Sequence, residues 1–356
     1  MNTIAMIRDI LEIVWSNHTI PQKYNYIKYL FSGRRECLEY APVTISIVAT
    51  NRCTLACDMC PTHSSRVPRD YPNRQNNIKD IDFIMFKEIV DRFSSAVTLH
   101  IIGSGEPLLN KDLFKMVDYA ASRRMVVKTF SNGTVIEKNI DNILNSELDG
   151  ITISINGHNP EEFARMTGMD GGIYNQIYDA TKHLVEERDR RRSRVNIKLS
   201  FIVDKLNYKF IPEMVGVGLK LGVDRIFFCN FLPSPYDGLR AEERVLMYDP
   251  DLSAEIEGML KKYPVSVRKK ITPPILVDAQ SKQIRCSTYF SQIRIDGDGN
   301  VSSCSMMLLN MEGHGSFRDA DVWNNEFFKS MRRKFLSKDS SLLPEPCMVC
   351  TDNKGR

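Results

Sequence analysis

The sequence predicts an α/β fold, built as an open or partial barrel of six parallel strands. Two observations support this prediction: short β-like runs alternate with helix-like segments along the chain, and several of the runs have one polar face. Six strands are too few to close an eight-stranded barrel, so we expect an open one. In open parallel sheets the chemistry lies at the carboxyl ends of the strands.

The predicted elements follow one another in regular alternation. The strand-like runs are Val43–Thr50, Ala96–Ile102, Met125–Phe130, Gly150–Asn156, Val195–Val203 and Asp224–Phe231. The helix-like segments between them are Phe83–Phe93, Lys111–Arg123, Lys138–Leu144, Ile173–Val185 and Phe210–Leu221. Strands joined by helices of this length form βαβ units, which give a parallel sheet.

One face of several strands is polar. In Val195–Val203, for example, Asn196, Lys198 and Ser200 alternate with apolar residues. A parallel strand that helices cover on both sides is expected to be apolar on both faces. The polar face therefore predicts a barrel lumen that holds a ligand.

The remaining segments suggest four regions. Residues 1–42 are predicted to be a helical extension packed on the barrel, with a membrane-surface helix as the alternative. Residues 43–233 hold the barrel, and 234–285, which contain Pro273-Pro274, are expected to be a linker. Residues 286–356 are expected to form a small α+β domain.

Composition restricts the class of protein. The net charge of +4 over 356 residues is mild and does not imply nucleic acid. No stretch approaches the roughly 20 apolar residues that span a bilayer. Arg8, Asp9 and Glu12 interrupt the apolar positions near the N-terminus, so we expect no signal peptide. The nine cysteines, seven of them in two spaced groups, predict metal sites in a reducing cytoplasm.

The first cysteine group follows the first strand. Cys53, Cys57 and Cys60 have C-x3-C-x2-C spacing, and their thiolates are soft ligands suited to iron–sulfur clusters or zinc. A closed structural site needs four ligands, whereas this loop offers three. One iron of a [4Fe–4S] cluster would then stay open to chelate an amino acid, and zinc with a distant fourth ligand is the alternative.

Further motifs make the chain resemble the radical S-adenosylmethionine (SAM) superfamily. Gly103-Ser-Gly-Glu-Pro107 is similar to the family's GGEP motif, which implies SAM contacts from Gly103, Ser104, Gly105 and Glu106. Ser131-Asn-Gly-Thr134 resembles its TNGT motif. Ser154 and Arg165 match a SAM contact and the arginine that holds the SAM carboxylate. The resemblance implies a partial TIM-like barrel and SAM as a cofactor of the [4Fe–4S] cluster.

The second cysteine group lies near the C-terminus, where Cys286, Cys304, Cys347 and Cys350 have C-x17-C-x42-C-x2-C spacing. Four cysteines can close either a zinc site or a [4Fe–4S] cluster, and spacing alone does not decide between them. Residues 286–350 resemble the auxiliary-cluster extension called SPASM, or its shorter twitch form, as in the twitch dehydrogenase of the butirosin pathway. That resemblance implies one auxiliary [4Fe–4S] cluster with four cysteine ligands and no open iron.

Two residues of the predicted lumen are candidates for catalysis. Lys198 points there by strand alternation, and a buried ammonium needs an anionic partner, which could be Glu106, another side chain or the substrate. His100 follows the same logic on the second strand. Structural pairing is the competing interpretation for both.

The resemblance implies a radical SAM enzyme with an external electron donor such as flavodoxin or ferredoxin. We expect SAM cleavage to a 5′-deoxyadenosyl radical, hydrogen abstraction from a small polar metabolite of sugar, aminocyclitol or nucleoside type, and oxidation with the auxiliary cluster as electron acceptor. Redox-neutral decarboxylation or epimerisation, peptide modification, and a non-catalytic zinc or electron-transfer protein are the alternatives.

Overall fold

The computed structural model describes residues 3–68, 79–231, 241–278, 280–281, 284–304, 314–337, 339–348, 350, 353 and 355. Their strands join in one nine-stranded sheet of order β7-β6-β5-β4-β3-β2-β1-β8-β9. The strands are β1 Thr44–Thr50, β2 Thr98–Gly103, β3 Val126–Ser131, β4 Gly150–Ser154, β5 Asn196–Val203, β6 Arg225–Asn230, β7 Ile271–Thr272, β8 Gln292–Ile295 and β9 Val301–Ser302. Neighbours are parallel except β8 and β9, which form an antiparallel pair.

Helices connect these strands and flank the sheet. They are α1 Thr3–Val14, α2 Ile20–Phe31, α3 Phe83–Arg92, α4 Leu113–Ser122, α5 Ile140–Asn145, α6 Pro160–Thr167, α7 Gly172–Arg191, α8 Ile211–Leu221, α9 Ala241–Arg244, α10 Pro250–Lys261, α11 Val265–Arg268, α12 Thr288–Ser291, α13 Glu326–Leu336 and α14 Glu345–Met348. The predicted six-strand parallel core with its intervening helices is thereby confirmed. In the part of the chain that the structure describes, no helix has both the length and the apolar character needed to cross a membrane.

Strand alternation directs apolar side chains into the core under the helices and polar side chains toward the lumen. On β5, Ile197, Leu199 and Phe201 are fully buried under the flanking helices, whereas Lys198 between them lines a cavity. Burying such apolar side chains supplies most of the driving force for folding. The alternation predicted from the sequence therefore places the polar face of the strand toward the lumen.

The C-terminal segment joins the main sheet directly. β8 pairs in parallel with β1, from Thr44 opposite Gln292 to Ile47 opposite Ile295. A fully buried guanidinium, Arg332 on α13, ties this segment together because it donates to the backbone carbonyl groups of Tyr289, Trp323 and Glu36 and to the Asn324 side chain.

The four predicted regions stay a prediction, but the expected linker is more structured than its composition suggested. Within 234–285 the structure places α9, α10, α11 and β7. Asp249 caps α10 by accepting from the backbone amides of Asp251 and Leu252. Strand β7 extends the sheet beyond β6.

Candidate functional site

The cysteine loop begins where β1 ends, and its first residues are held rigidly. Arg52 forms a two-point ion pair with Asp80, with Nε–Oδ1 and Nη2–Oδ2 distances of 3.0 and 2.5 Å. It also donates to the backbone carbonyl of Leu109. Because Cys53 follows Arg52 directly, these contacts fix the point from which the loop starts.

The three thiols of the loop lie in one partly buried environment. Cys60 closes a turn by donating its backbone N–H to the Cys57 carbonyl at 2.8 Å. Burial, followed by the neighbouring thiolates of Cys60 and Cys53, raises the pKa of Cys57 to about 12. Burial also raises the pKa of Cys53. Thiolates crowded in this way need a compensating positive charge, which the irons of a [4Fe–4S] cluster supply.

The number of thiol ligands favours a cluster over zinc. The loop offers three cysteines, whereas a closed structural zinc site needs four ligands. Each thiolate of a [4Fe–4S] cluster binds a different iron, so three thiolates leave one iron without a protein ligand. The residues present therefore fit the cluster that the sequence predicts.

The glycine-rich segment after β2 packs directly against the start of the cysteine loop. Glu106 donates its backbone N–H to the Arg52 carbonyl at 2.6 Å. A Cβ on Gly105 would stand 1.9 Å from the Arg52 carbonyl oxygen, and one on Gly103 would stand 2.5 Å from the Gly105 oxygen. Only glycine permits this approach of two backbone segments. The hydroxyl of Thr62, beyond the last cysteine, donates to the Ser104 carbonyl at 2.9 Å.

The carboxylate of Glu106 joins two loops. It is fully buried and accepts from the backbone N–H groups of Asn132, at 2.6 Å, and Leu108, at 3.1 Å. Burial raises the pKa of Glu106, while these hydrogen bonds oppose the shift. The structure thus shows Glu106 connecting the turns after β2 and β3; its predicted contact with the SAM ammonium stays a prediction.

Asn132 was not singled out from the sequence as a site residue. Its side-chain amide donates to the Thr54 hydroxyl at 3.0 Å and to the Cys53 sulfur at 3.5 Å. Hydrogen bonds to cluster sulfurs influence the reduction potential. The Ser131-Asn-Gly-Thr134 motif was the available signal, since it places a side-chain donor at the carboxyl end of β3.

A cavity of about 280 Å³ opens beside these loops, and we call it the upper cavity. It brings together predicted SAM contacts from two strands with residues that the sequence did not single out. Its lining consists of Ile102, Gly103, Gly105, Pro107, Phe130, Ser131, Asn132, Ser154 and Arg294. The glycines leave backbone polar atoms accessible to a ligand, which fits the binding of SAM here.

Arg165 lies on α6, which packs against the cysteine loop: Asp58 donates its backbone N–H to the Thr167 carbonyl at 2.8 Å. The guanidinium of Arg165 donates to both carboxylate oxygens of Glu162, at 2.8 and 2.6 Å, and lies 3.6 Å from Asp204. The hydrogen bonds to Glu162 raise the pKa of Arg165. A SAM carboxylate would therefore have to share this arginine with two protein carboxylates.

Arg294 is a site residue that the sequence alone did not reveal. It lies on β8, its side chain lines the upper cavity, and its Nε has no hydrogen-bond partner among the described residues. Burial lowers the pKa of Arg294 to about 10, with Cys304 and Asp296 acting in the opposite sense. The missed signal is the pairing of β8 with β1, which the hairpin pattern alone does not disclose.

The four cysteines of the C-terminal segment lie near enough to one another for their charges to interact. Burial, and then the thiolates of Cys304, Cys286 and Cys350, raise the pKa of Cys347 to about 12. Ser302 on β9 pairs with Arg294, so Cys304 lies near the amino end of β8. Because β8 runs parallel to β1, the two cysteine groups lie toward opposite ends of β1.

Lys198 and His100 do not line the upper cavity. Both line a second cavity of about 450 Å³ at the amino-terminal half of the central strands, which we call the lower cavity. Phe130 lines both cavities. The lumen position expected for the two residues agrees with the structure, whereas their action on a substrate stays a prediction.

The parallel sheet, the three cysteines after its first strand and the glycine turn after its second are the features on which the resemblance to radical SAM proteins rests. The sequence model of the Radical SAM superfamily matches residues 47–198. The chain therefore contains a radical SAM domain, which confirms the resemblance and the predicted cofactors, a [4Fe–4S] cluster and SAM. Relatives of SPASM type imply auxiliary clusters as well.

Two curated proteins show how far the sequence similarity extends along the chain. The chain is 25% identical over 185 residues to the mycofactocin maturase of Mycolicibacterium smegmatis, covering 51% of this chain and 43% of that one. It is 21% identical over 320 residues to the PqqA peptide cyclase of Gluconobacter oxydans, covering 87% and 82%. The chain thus spans less than half of the first of these relatives.

Solved structures show the same fold. Streptococcus suis SuiB bound to S-adenosylmethionine superposes with a TM-score of 0.66 at 15% identity, covering 92% of this chain and 76% of that one. At this identity the likeness concerns the fold alone. It confirms the predicted α/β fold with its mainly parallel sheet.

Proposed function

We propose that this chain is a radical SAM oxidoreductase that removes hydrogen from a small polar metabolite of sugar, aminocyclitol or nucleoside type. The observation that carries the proposal is the proximity of Cys286, Cys304 and Cys350 to Cys347, in a segment whose strand β8 pairs with β1. Four thiolates leave no open iron for a substrate, so electron transfer is the role that such a cluster suits. In this proposal residues 43–233 are the catalytic barrel and 286–356 the auxiliary domain.

The clusters, when bound, supply the electron that cleaves SAM to methionine and a 5′-deoxyadenosyl radical, and the acceptor for the electron left on the substrate. The chain's own residues position the reactants. Cys53, Cys57 and Cys60 hold the open cluster, and Gly103, Gly105 and Ser154 line the surface against which SAM lies. Holding the substrate C–H bond close to the radical source is the protein's main catalytic contribution.

Arg294 is the residue best placed to orient a substrate. Its Nε is buried without a partner, and an unpaired buried donor costs about 1–3 kcal/mol. A hydroxyl, carboxylate or phosphate oxygen of a ligand in the upper cavity would satisfy it. The planar guanidinium then fixes the angle of the ligand as well as its distance.

Anaerobic reconstitution tests the division of labour. The wild-type chain is expected to bind about eight irons, which corresponds to two [4Fe–4S] clusters. Cys347→Ser is expected to bind about four while still forming 5′-deoxyadenosine from SAM with dithionite. Cys37→Ser, which alters an exposed free thiol, is the matched control and should keep both clusters.

The outcome that contradicts the proposal is equally clear. Loss of 5′-deoxyadenosine formation together with the auxiliary cluster in Cys347→Ser, while Cys53→Ser keeps that activity, would reverse the assignment. With a metabolite panel, oxidation yields a product lighter by two hydrogen atoms, whereas an epimerised product keeps the mass and a decarboxylated one loses carbon dioxide.

Peptide modification is the second candidate. The supporting observation is the similarity to a PqqA peptide cyclase, which extends over 87% of this chain and 82% of that protein. The two candidates separate in one assay: a small metabolite or a synthetic peptide is added, and the increase in 5′-deoxyadenosine over the uncoupled rate is measured. Stimulation by peptides alone would replace the metabolite proposal.

A further inference from the structure

The lower cavity lies at the opposite end of the strands from the cysteine loop. It has a volume of about 450 Å³, which lies within the range of small-molecule sites. Most lining residues are at the first to third positions of their strands. The lining consists of His100, Lys128, Phe130, Asp149, Gly150, Thr152, Asn196, Lys198, Arg225, Phe227 and Thr272.

Three cations share this lining. Lys128 is on β3, Lys198 on β5 and Arg225 on β6, and Lys198 stands directly opposite Arg225 in the strand register. Among the described residues, none of the three lies within ion-pair distance of a carboxylate. The cavity therefore carries an excess of positive charge from the protein.

The two nearby carboxylates are engaged elsewhere. Asp149 accepts the backbone N–H of Val127 at 2.7 Å. Asp224 forms an ion pair with Arg188 at 2.6 Å and accepts the backbone N–H of Ile197 at 2.7 Å. Asp224 opposes the lowering of the Lys198 pKa and so offsets part of the positive charge. The lining itself holds three cations and one carboxylate, Asp149, so it keeps a net positive charge.

The charges repel one another across the lumen. Burial, and then Lys128 and Arg225, lower the pKa of Lys198. Burial, and then Lys128 and Lys198, lower the pKa of His100 to about 4. His100 is therefore neutral at physiological pH and offers a hydrogen bond without adding charge. Like charges facing each other in a sheet destabilise it, and a bound anion would relieve that repulsion.

We propose that the lower cavity binds the phosphate group of a small organic molecule distinct from SAM. Two ammonium groups and a guanidinium suit a doubly charged phosphate better than a single carboxylate. Thr152, Asn196 and Thr272 add polar groups around them. The rings of Phe130 and Phe227 supply an apolar wall for the organic part.

Phe130 separates this ligand from the SAM site because its ring lines both cavities. Lys128 and Phe130 are two residues apart on β3 and face the same side, which places them about 7 Å apart along the strand. The phosphate would therefore sit one layer of side chains below the upper cavity. Its binding does not depend on the proposed oxidation of a substrate.

Titration calorimetry on the reconstituted enzyme tests the site with orthophosphate, ribose 5-phosphate and adenosine monophosphate. We expect at least one organic phosphate to bind more tightly than orthophosphate. Lys128→Gln and Lys198→Gln should each weaken that binding at least tenfold, whereas Lys198→Arg, which keeps the charge, should stay within a few-fold of wild type. Lys220→Gln, an exposed lysine on α8, is the matched control and should leave binding unchanged.

Three results would overturn the proposal. One is the absence of measurable binding of all three phosphates. Another is binding that the Lys128 and Lys198 variants leave unchanged although thermal melts show all the variants folded. The third is competition by saturating SAM, because the anion would then occupy the upper cavity.

Discussion

Gly105→Ala is the substitution whose effect follows most directly from the structure. The added Cβ would stand 1.9 Å from the Arg52 carbonyl oxygen, and real Cβ atoms essentially never come within 3.0 Å of such an atom. The two backbone segments must therefore separate by at least about 1.1 Å. The 2.6 Å hydrogen bond from the Glu106 N–H to the Arg52 carbonyl lies at this point of contact and would open beyond bonding distance.

The free-energy cost of this separation is local. A lost backbone hydrogen bond costs about 1 kcal/mol, and leaving its buried partners unsatisfied adds about 1–3 kcal/mol. A total of about 2–4 kcal/mol is below the roughly 5–15 kcal/mol that stabilises a folded domain. The variant should therefore fold, while the loop that starts at Cys53 is displaced.

Iron content, SAM binding and 5′-deoxyadenosine formation measure that displacement. Changes next to metal ligands typically cost about 10–100-fold in affinity or activity, so we expect at least a tenfold loss of 5′-deoxyadenosine formation. Gly216→Ala is the control, since nothing lies within 4 Å of its Cβ position and alanine suits its place within α8. Normal cluster assembly and normal SAM cleavage in Gly105→Ala would refute the reasoning.

Three further substitutions test other parts of the structure. Asn132→Ala removes the hydrogen bond to the Cys53 sulfur; the cluster potential should become more negative, and an unchanged potential in an EPR-monitored titration would count against that contact. Arg332→Met leaves two buried acceptors, the carbonyl groups of Tyr289 and Trp323, and two part-buried acceptors without their donor. It should lower the free energy of unfolding by about 3 kcal/mol in urea, whereas Arg333→Met, which removes exposed ion pairs, is a control expected to change it by less than about 1 kcal/mol. His100 has a pKa near 4 in the folded state against 6.5 for the free side chain, so its stabilising contribution is present above pH 6.5 and is lost as the pH falls through 4. That loss is about 3 kcal/mol, and His100→Gln should remove it; identical pH profiles of unfolding for wild type and variant would contradict the assigned burial.

Local signals were sufficient to predict the barrel strands. For β1 to β6 the predicted runs differ from the observed strands by two residues or fewer at each end. Period-two alternation succeeded because each strand packs one face on helices and turns the other to the lumen, as Leu199 and Lys198 show. The cysteine group and the glycine turn could also be recognised from the sequence, because each consists of residues that are close together along the chain.

The pairing of strands that are far apart in sequence could not be predicted in the same way. The hairpin at residues 292–301 was expected, yet nothing in its alternation discloses that β8 joins β1, which lies about 250 residues earlier. That pairing is what carries Arg294 into the upper cavity. Helix α6 was also missed, although Asn159-Pro160 and Gly168 are the cap signals of a short helix.

The polar lumen face that the sequence predicted is chemically two different surfaces. Near the carboxyl ends of the strands it offers Gly103, Ser154 and backbone polar groups, which suit a zwitterionic ligand. Near the amino ends it offers two lysines and an arginine against one carboxylate, Asp149, and this net positive charge suits an anion. Alternation alone cannot distinguish the two, since it gives the face of a side chain but not its level along the strand. Phe130 lines both cavities, so under the phosphate proposal its side chain would stand between the anion below and the ligand above.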